Sequence, residues 1–359
     1  MSAIETKLVL KPLNIAVWTI ILTGVCATLI IGRELLIPIV LSVFLAILLS
    51  SFREAIRRLP MFGQKLNGTF ATVIAITIVL EMTFFTTSLL TSQAELMTEY
   101  SPIYESNFEK MAVSLYEELG LKPESSFGAL IDHLDIGLLI GWIGEALSGV
   151  FSNLILTVMF TLFLLSEEKK FPIKLSRLMG DPKKMHELEQ VSHSITSSIQ
   201  TYVTSKTILS AATSIATYAI LEVFNTHLSP LWGVLAFLLN FIPNVGSLIA
   251  VLLPCLFALL QFGDLTLVMI LAASLGTVQF FIGNVIEPAY LGRQLNLSPF
   301  LVLVSLTLWG AIWGLVGMFL AVPLMVLTSL ICQHIQGLEW ISRLLSSDGS
   351  FMSIKARGV

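Results

Sequence analysis

Six polar or charged side chains stand in or beside long apolar runs: Glu81, Asn244, Gln279, Asn284, Glu287 and Arg293. Hydrocarbon tolerates such groups where they line a cavity or are buried against protein. Asn244 belongs to Pro243-Asn244-Val245-Gly246. Proline withholds a backbone donor, glycine permits a turn, and the amide offers both donor and acceptor. Carbonyls freed at this break can meet a polar solute or a cation. Alternatively, Asn244 bonds a neighbouring helix and the break only packs. Gln279, Asn284 and Glu287 recur along one predicted helix, and Asn284 and Glu287, three apart, should share a face. Two roles fit Glu287: a proton or cation carrier, or a structural latch paired with Arg293. Glu81 stands alone in an apolar run, either as a functional membrane acid or bonded to Thr77 one turn earlier.

Helix breakers flank these groups. Gly283 and Pro288 bracket Asn284 and Glu287, while Pro243 and Gly246 bracket Asn244. Gly310, Gly314 and Gly317 follow in the next apolar run, at a spacing that lets helices approach closely.

Enzymatic signatures are missing. The chain has no G-x-x-x-x-G-K-[ST], no H-E-x-x-H and no G-x-S-x-G. Its five histidines sit mostly in polar stretches, and its three cysteines (Cys26, Cys255, Cys332) lie far apart in apolar runs. We expect no catalytic residues, no metal, no cofactor and no nucleic-acid partner.

The elements that must position the polar groups are membrane spans. The 359 residues are 55% hydrophobic and 12% charged, with a mean hydropathy of +0.87. Soluble domains carry about 25% charged residues, so the bilayer is the expected solvent. The run 13–31 is too long for a signal-peptide core and reads as the first span. A tight turn at Arg33-Glu34 leads to a second span over 35–50, and 69–90 makes the third, so residues 1–90 hold three. Residues 91–148 carry ten acids against two lysines and end in an amphipathic stretch, 136–147. A fourth span covers 149–166. A basic segment with an amphipathic helix follows over 167–206. A core with interrupted helices fills 207–333, and 334–359 forms a tail.

Two apolar runs in that core are poor fits to single crossings. The arm before Pro243 is about 12 residues, whereas a crossing helix needs about 20. The run 300–332 is long for one span. Both read as interrupted or re-entrant hairpins, a pattern that points to a transporter site. Basic residues cluster after the second and fourth spans, and the acidic region follows the third. The positive-inside rule then places both termini in the cytoplasm and 91–148 outside.

Several pieces together resemble a known family. They are I-P-N-V-G at 242–246, G-N-V-I-E-P at 283–288, Gly292, Leu297 with Pro299, S-L-T-L-W-G at 305–310 and G-M-F-L-A-V-P-L at 317–324. With this spacing the chain resembles the autoinducer-2 exporter family, in the branch that includes a transport protein for the quorum-sensing signal. This chain departs from many members by carrying Asn244 in place of an aromatic residue, and Ile282 in place of an acid. A role tied to that acid would fall to Glu287. The resemblance implies about eight segments in a bacterial inner membrane and assembly of identical subunits, with pentamers expected. It also implies export of autoinducer-2 or, in other members, sodium or lithium–proton antiport.

The expected fold is therefore all-α and polytopic, with about eight hydrophobic segments, two of them interrupted hairpins, plus an acidic extracytoplasmic helical region. The expected function is export of a small polar solute. Cation–proton antiport is the alternative, and a scaffold that binds a partner through 91–148 is the second.

Overall fold

The computed structural model describes residues 17, 19–21, 23–58, 68–119, 141, 154–168, 170, 173–174, 182–291, 296–335 and 337–351. These residues are almost wholly helical. Apolar runs in lipid must satisfy their own backbone groups, and the helix does this within one segment. The helices are α1 (Thr19–Ile31), α2 (Arg33–Arg58), α3 (Gly68–Leu119), α4 (Leu154–Glu167), α5 (Pro182–Val223), α6 (Ser229–Leu239), α7 (Val245–Phe262) and α8 (Leu265–Phe281). A π-helical turn, Ile282–Ile286, joins α8 to α9 (Glu287–Leu291). Then come α10 (Pro299–His334) and α11 (Glu339–Leu345). Among the described residues, five helices are long and apolar enough to cross a membrane.

Two helices run far beyond a bilayer. α3 has 52 residues, about 78 Å at 1.5 Å each. It passes residue 90 without a break, so the acidic stretch up to Leu119 continues the apolar one. α5 has 42 residues and joins the amphipathic segment to the next apolar run in one rod. The expected tight turn at Arg33-Glu34 is corrected: both residues open α2, and the break falls at Gly32. The amphipathic stretch 136–147 lies outside the described residues, apart from Gly141.

α6 and α7 pack on each other as a hairpin around Asn240–Asn244. A side chain at Gly246 would put its β-carbon 1.8 Å from the Leu239 carbonyl oxygen, so the arms close only around glycine. Asn240 ties the turn to α5 by donating to Ser210 Oγ at 2.9 Å. α10 also folds back on itself. Gly314 takes φ 62°, ψ −142°, and Ser305 Oγ donates to the Ala321 carbonyl at 3.1 Å across the bend. Sixteen residues of straight helix would hold those two about 24 Å apart. Here too a glycine allows closure, since a β-carbon on Gly317 would sit 1.9 Å from the Trp309 carbonyl. The hairpins meet where Phe241 packs on Phe319, ring centres 4.6 Å apart.

The core has two poles. At one, Met97 and Tyr104 of α3 pack with Leu231, Trp232 and Phe257 of the first hairpin. At the other, Ile37 and Phe44 of α2 pack with Tyr202 and Val203 of α5 and Leu320 of α10. The carboxy-terminal segment docks beside the second pole. Ser329 and Ser342 share a buried hydrogen bond of 2.9 Å, and Leu297 forms an antiparallel bridge with Ser346. We call this the tail end of the bundle.

Candidate functional site

The tip of the first hairpin points into a cleft of about 800 Å³ at the tail end. Pro243 and Asn244 bring the tip, Tyr202 and Lys206 come from α5, and Gly283, Glu287 and Pro288 from the π turn and α9. Val302 and Val322 of α10 supply apolar wall, and Asn296, Ser347 and Asp348 close the mouth.

Its chemical centre is an ion pair. Lys206 Nζ donates to Glu287 Oε1 at 2.6 Å, with the lysine side chain 4% exposed and the carboxylate 23%. Tyr202, one helical turn before Lys206, is buried, and its hydroxyl has no hydrogen-bond partner among the described residues. A buried hydroxyl left unpaired costs about 1–3 kcal/mol, and among the described residues nothing offsets that cost at Tyr202.

Local structure explains how Glu287 reaches the lysine. The π turn places the Glu287 N–H on the Ile282 carbonyl, five residues back. One extra residue enters the turn, and the face that ordinary helical spacing predicts is rotated. Asn284 therefore does not share the cleft with Glu287. It is exposed and donates to the Phe280 carbonyl at 3.2 Å. Gln279 is buried on α8 with an unpaired Nε2, away from the lining. Glu81 is exposed on α3, also away from it. Lys206 pairs with Glu287, and Arg293, the partner expected for a latch, lies outside the described residues. Gly310, Gly314 and Gly317 shape the second hairpin and do not line the cleft.

Asn244 is exposed to the cleft at φ 60°, unusual for a residue with a β-carbon. Its side chain makes no cap bond to α7. Asp348 reaches the mouth from the carboxy-terminal segment. The Asn296 amide donates to it at 2.7 Å, and the Ser350 hydroxyl and N–H add two more bonds. The Asn296 bond, then those from Ser350, hold its carboxyl down at about 2.

Lys206, Tyr202 and Asp348 were missed in the sequence. Lys206 looks like the last of a run of lysines in a polar segment, and Asp348 sits in a polar tail. One signal was available: Lys206 is the last cation before an uncharged apolar stretch.

Comparison with other sequences supplies the family. The AI-2E family transporter pattern matches residues 16–337. The chain belongs to the AI-2E transporter family. A putative transport protein of Haemophilus influenzae is 29% identical over 321 residues, covering 87% of this chain and 89% of its own length. The AI-2 transport protein TqsA of Escherichia coli is 28% identical over 322 residues, covering 88% and 90%. A putative transport protein of Borreliella burgdorferi is 32% identical over 195 residues, 54% of each chain. AI-2E membership and the apolar helices together make this a multi-pass membrane protein and a transporter.

Proposed function

We propose that this AI-2E transporter exports a small polar solute, with the cleft as the chamber that takes it up. The observation that carries the reading is the Lys206–Glu287 pair in a cleft that the exposed Asn244 also lines, at the tip of a broken hairpin. A solute with several hydroxyls can bond Asn244 and the second carboxylate oxygen of Glu287 without breaking the pair. The name of the Escherichia coli relative makes autoinducer-2 the first candidate.

Orientation is part of the proposal. Arg53, Arg57 and Lys174 lie at the tail end, while Glu95, Glu99, Glu105 and Glu109 ride on the far part of α3. The positive-inside rule then puts the tail end in the cytoplasm of a bacterial inner membrane. The two hairpins would enter the bilayer from opposite sides and meet at Phe241 and Phe319. Interrupted helices facing each other in this way are a recurrent transporter arrangement. Assembly into a homo-oligomer, five copies by family resemblance, belongs to the same reading and is checked by native mass spectrometry.

Antiport draws less support from this geometry. A cation that enters the cleft meets a Glu287 carboxylate already neutralised by the Lys206 ammonium, which weakens Glu287 as an exchanging ion site.

The test is autoinducer-2 flux in proteoliposomes, with and without an imposed proton gradient, for the wild type and Glu287→Gln. Wild-type flux that falls in the variant is expected, and its response to the gradient separates coupled export from facilitated passage. No flux in the wild type would sink the solute assignment.

A further inference from the structure

The described residues give the cleft three charged side chains: Lys206, Glu287 and Asp348. Lys206 and Glu287 neutralise each other. Asp348 has no ion-pair partner among the described residues. Arg343, close to it in sequence, lies instead over the Phe351 ring, 4.8 Å from its centre. Held at about 2, the Asp348 carboxyl is ionised at any physiological pH. Among the described residues, the side chains that line the cleft therefore sum to one net negative charge.

That charge is fixed in place by the backbone. Ser298 N–H donates to the Leu345 carbonyl at 2.9 Å, and Ser347 N–H donates to the Asn296 carbonyl at 3.0 Å. The Asn296 amide bonds both Asp348 and Ser350. A carboxylate clamped to the link before α10 is a built wall of the cleft, although it comes from the carboxy-terminal segment.

Inside, the cost falls hardest on anions. An anionic solute reaching Lys206 must compete with Glu287, and success would leave a mostly buried carboxylate without its partner. An uncharged polyhydroxylated solute leaves the pair intact.

We infer that the cleft selects by charge. It takes uncharged polar solutes and cations, rejects anions such as phosphate esters, and relies on Asp348 to set that preference at its mouth. The inference deepens the transport reading and rests on it for its biological meaning. The electrostatics can be read without any transport.

The experiment uses the full chain in liposomes, with Cys26, Cys255 and Cys332 replaced by serine. A single cysteine is introduced by Asn244→Cys. A second set uses Gly283→Cys, where an added β-carbon meets nothing within 4 Å. Cationic, neutral and anionic methanethiosulfonates of similar size are the probes, each rate divided by its rate with a small free thiol. We expect a cation-to-anion ratio several-fold above one at 0.1 M salt, where the Debye length is about 10 Å, shrinking at 1 M, where it is about 3 Å. Asp348→Asn should bring the ratio close to one. Glu287→Gln should lower it further by exposing the lysine charge. A parent ratio at or below one overturns the inference, and so does a ratio indifferent to Asp348→Asn. It is also overturned if Arg293→Gln raises the ratio as much as Asp348→Asn lowers it, for then Asp348 is already neutralised. Charge selectivity without solute flux would strike the transport reading and spare this one.

Discussion

Lys206 and Glu287, 81 positions apart, meet at 2.6 Å where α5 crosses the π turn. Removing one partner of a buried pair strands the other charge and costs about 3–5 kcal/mol, whereas removing both costs much less. The lysine is the more buried partner, at 4% exposure against 23%. Glu287→Gln should therefore destabilise the protein more than Lys206→Met, and the double variant should recover most of the loss. Thermal unfolding in detergent reads this order. A double variant whose losses simply add would show that the two groups are not coupled.

Gly246 and Gly317 should tolerate no side chain. Their β-carbons would meet the Leu239 and Trp309 carbonyls at 1.8 and 1.9 Å, and those are backbone atoms that cannot swing aside. Overpacking of this kind costs about 1–3 kcal/mol or more. Gly246→Ala and Gly317→Ala should lower folded yield on size-exclusion chromatography. Gly276→Ala and Gly283→Ala, which enter open space, should not. Equal behaviour of all four would mean that the hairpins are looser than described.

At the pole opposite the tail, His227 joins α3 to the first hairpin. Its ring stacks on Tyr100, centres 4.0 Å apart, and its Nδ1 lies 3.3 Å from the Tyr104 hydroxyl. Gln261 and Trp232 bond its backbone, and none of these four groups is charged at neutral pH. Burial pushes the His227 pKa below its ordinary 6.5. The unfolded chain then takes up the proton first, so stability is full above about 6.5 and declines as pH falls toward the folded value. The melting temperature should drop between pH 7.5 and 5.5, and His227→Gln should flatten that part of the profile. An unchanged slope would assign the effect to other groups.

Trp313 fastens the second hairpin to the amino-terminal helices by donating from Nε1 to the Leu29 carbonyl at 3.0 Å. That carbonyl sits just before the break at Gly32. Trp313→Phe removes the donor and should cost about 1–3 kcal/mol. Faster proteolysis within residues 17–58 would report the loosened contact, and unchanged proteolysis would make the bond dispensable.

Much of this architecture was legible before any coordinates. Pro243, Gly246, Gly314 and Gly317 interrupt long apolar runs, and the helices break or bend at 240–244 and at Gly314. Asn244, Glu287, Gly283 and Pro288 were named from their types alone, and all line the cleft. Asn284 was placed by ordinary helical spacing, and the π turn defeats that spacing. Glu81 and Gln279 were named because polar groups in lipid are expensive. That argument says a group must be accommodated, but not where.

The sequence by itself determined the solvent, the helical class and the positions of the breaks. Each follows from local composition: too much apolar surface for water, one segment satisfying its own backbone, and residues that cannot continue a helix. Only the tertiary structure decided which charges meet. The partner of Glu287 depends on the phase of α5 against a π turn, and the place of Asp348 depends on how the tail pairs with Asn296 and Leu297. Contacts between residues dozens of positions apart are fixed by packing geometry, which no local pattern encodes.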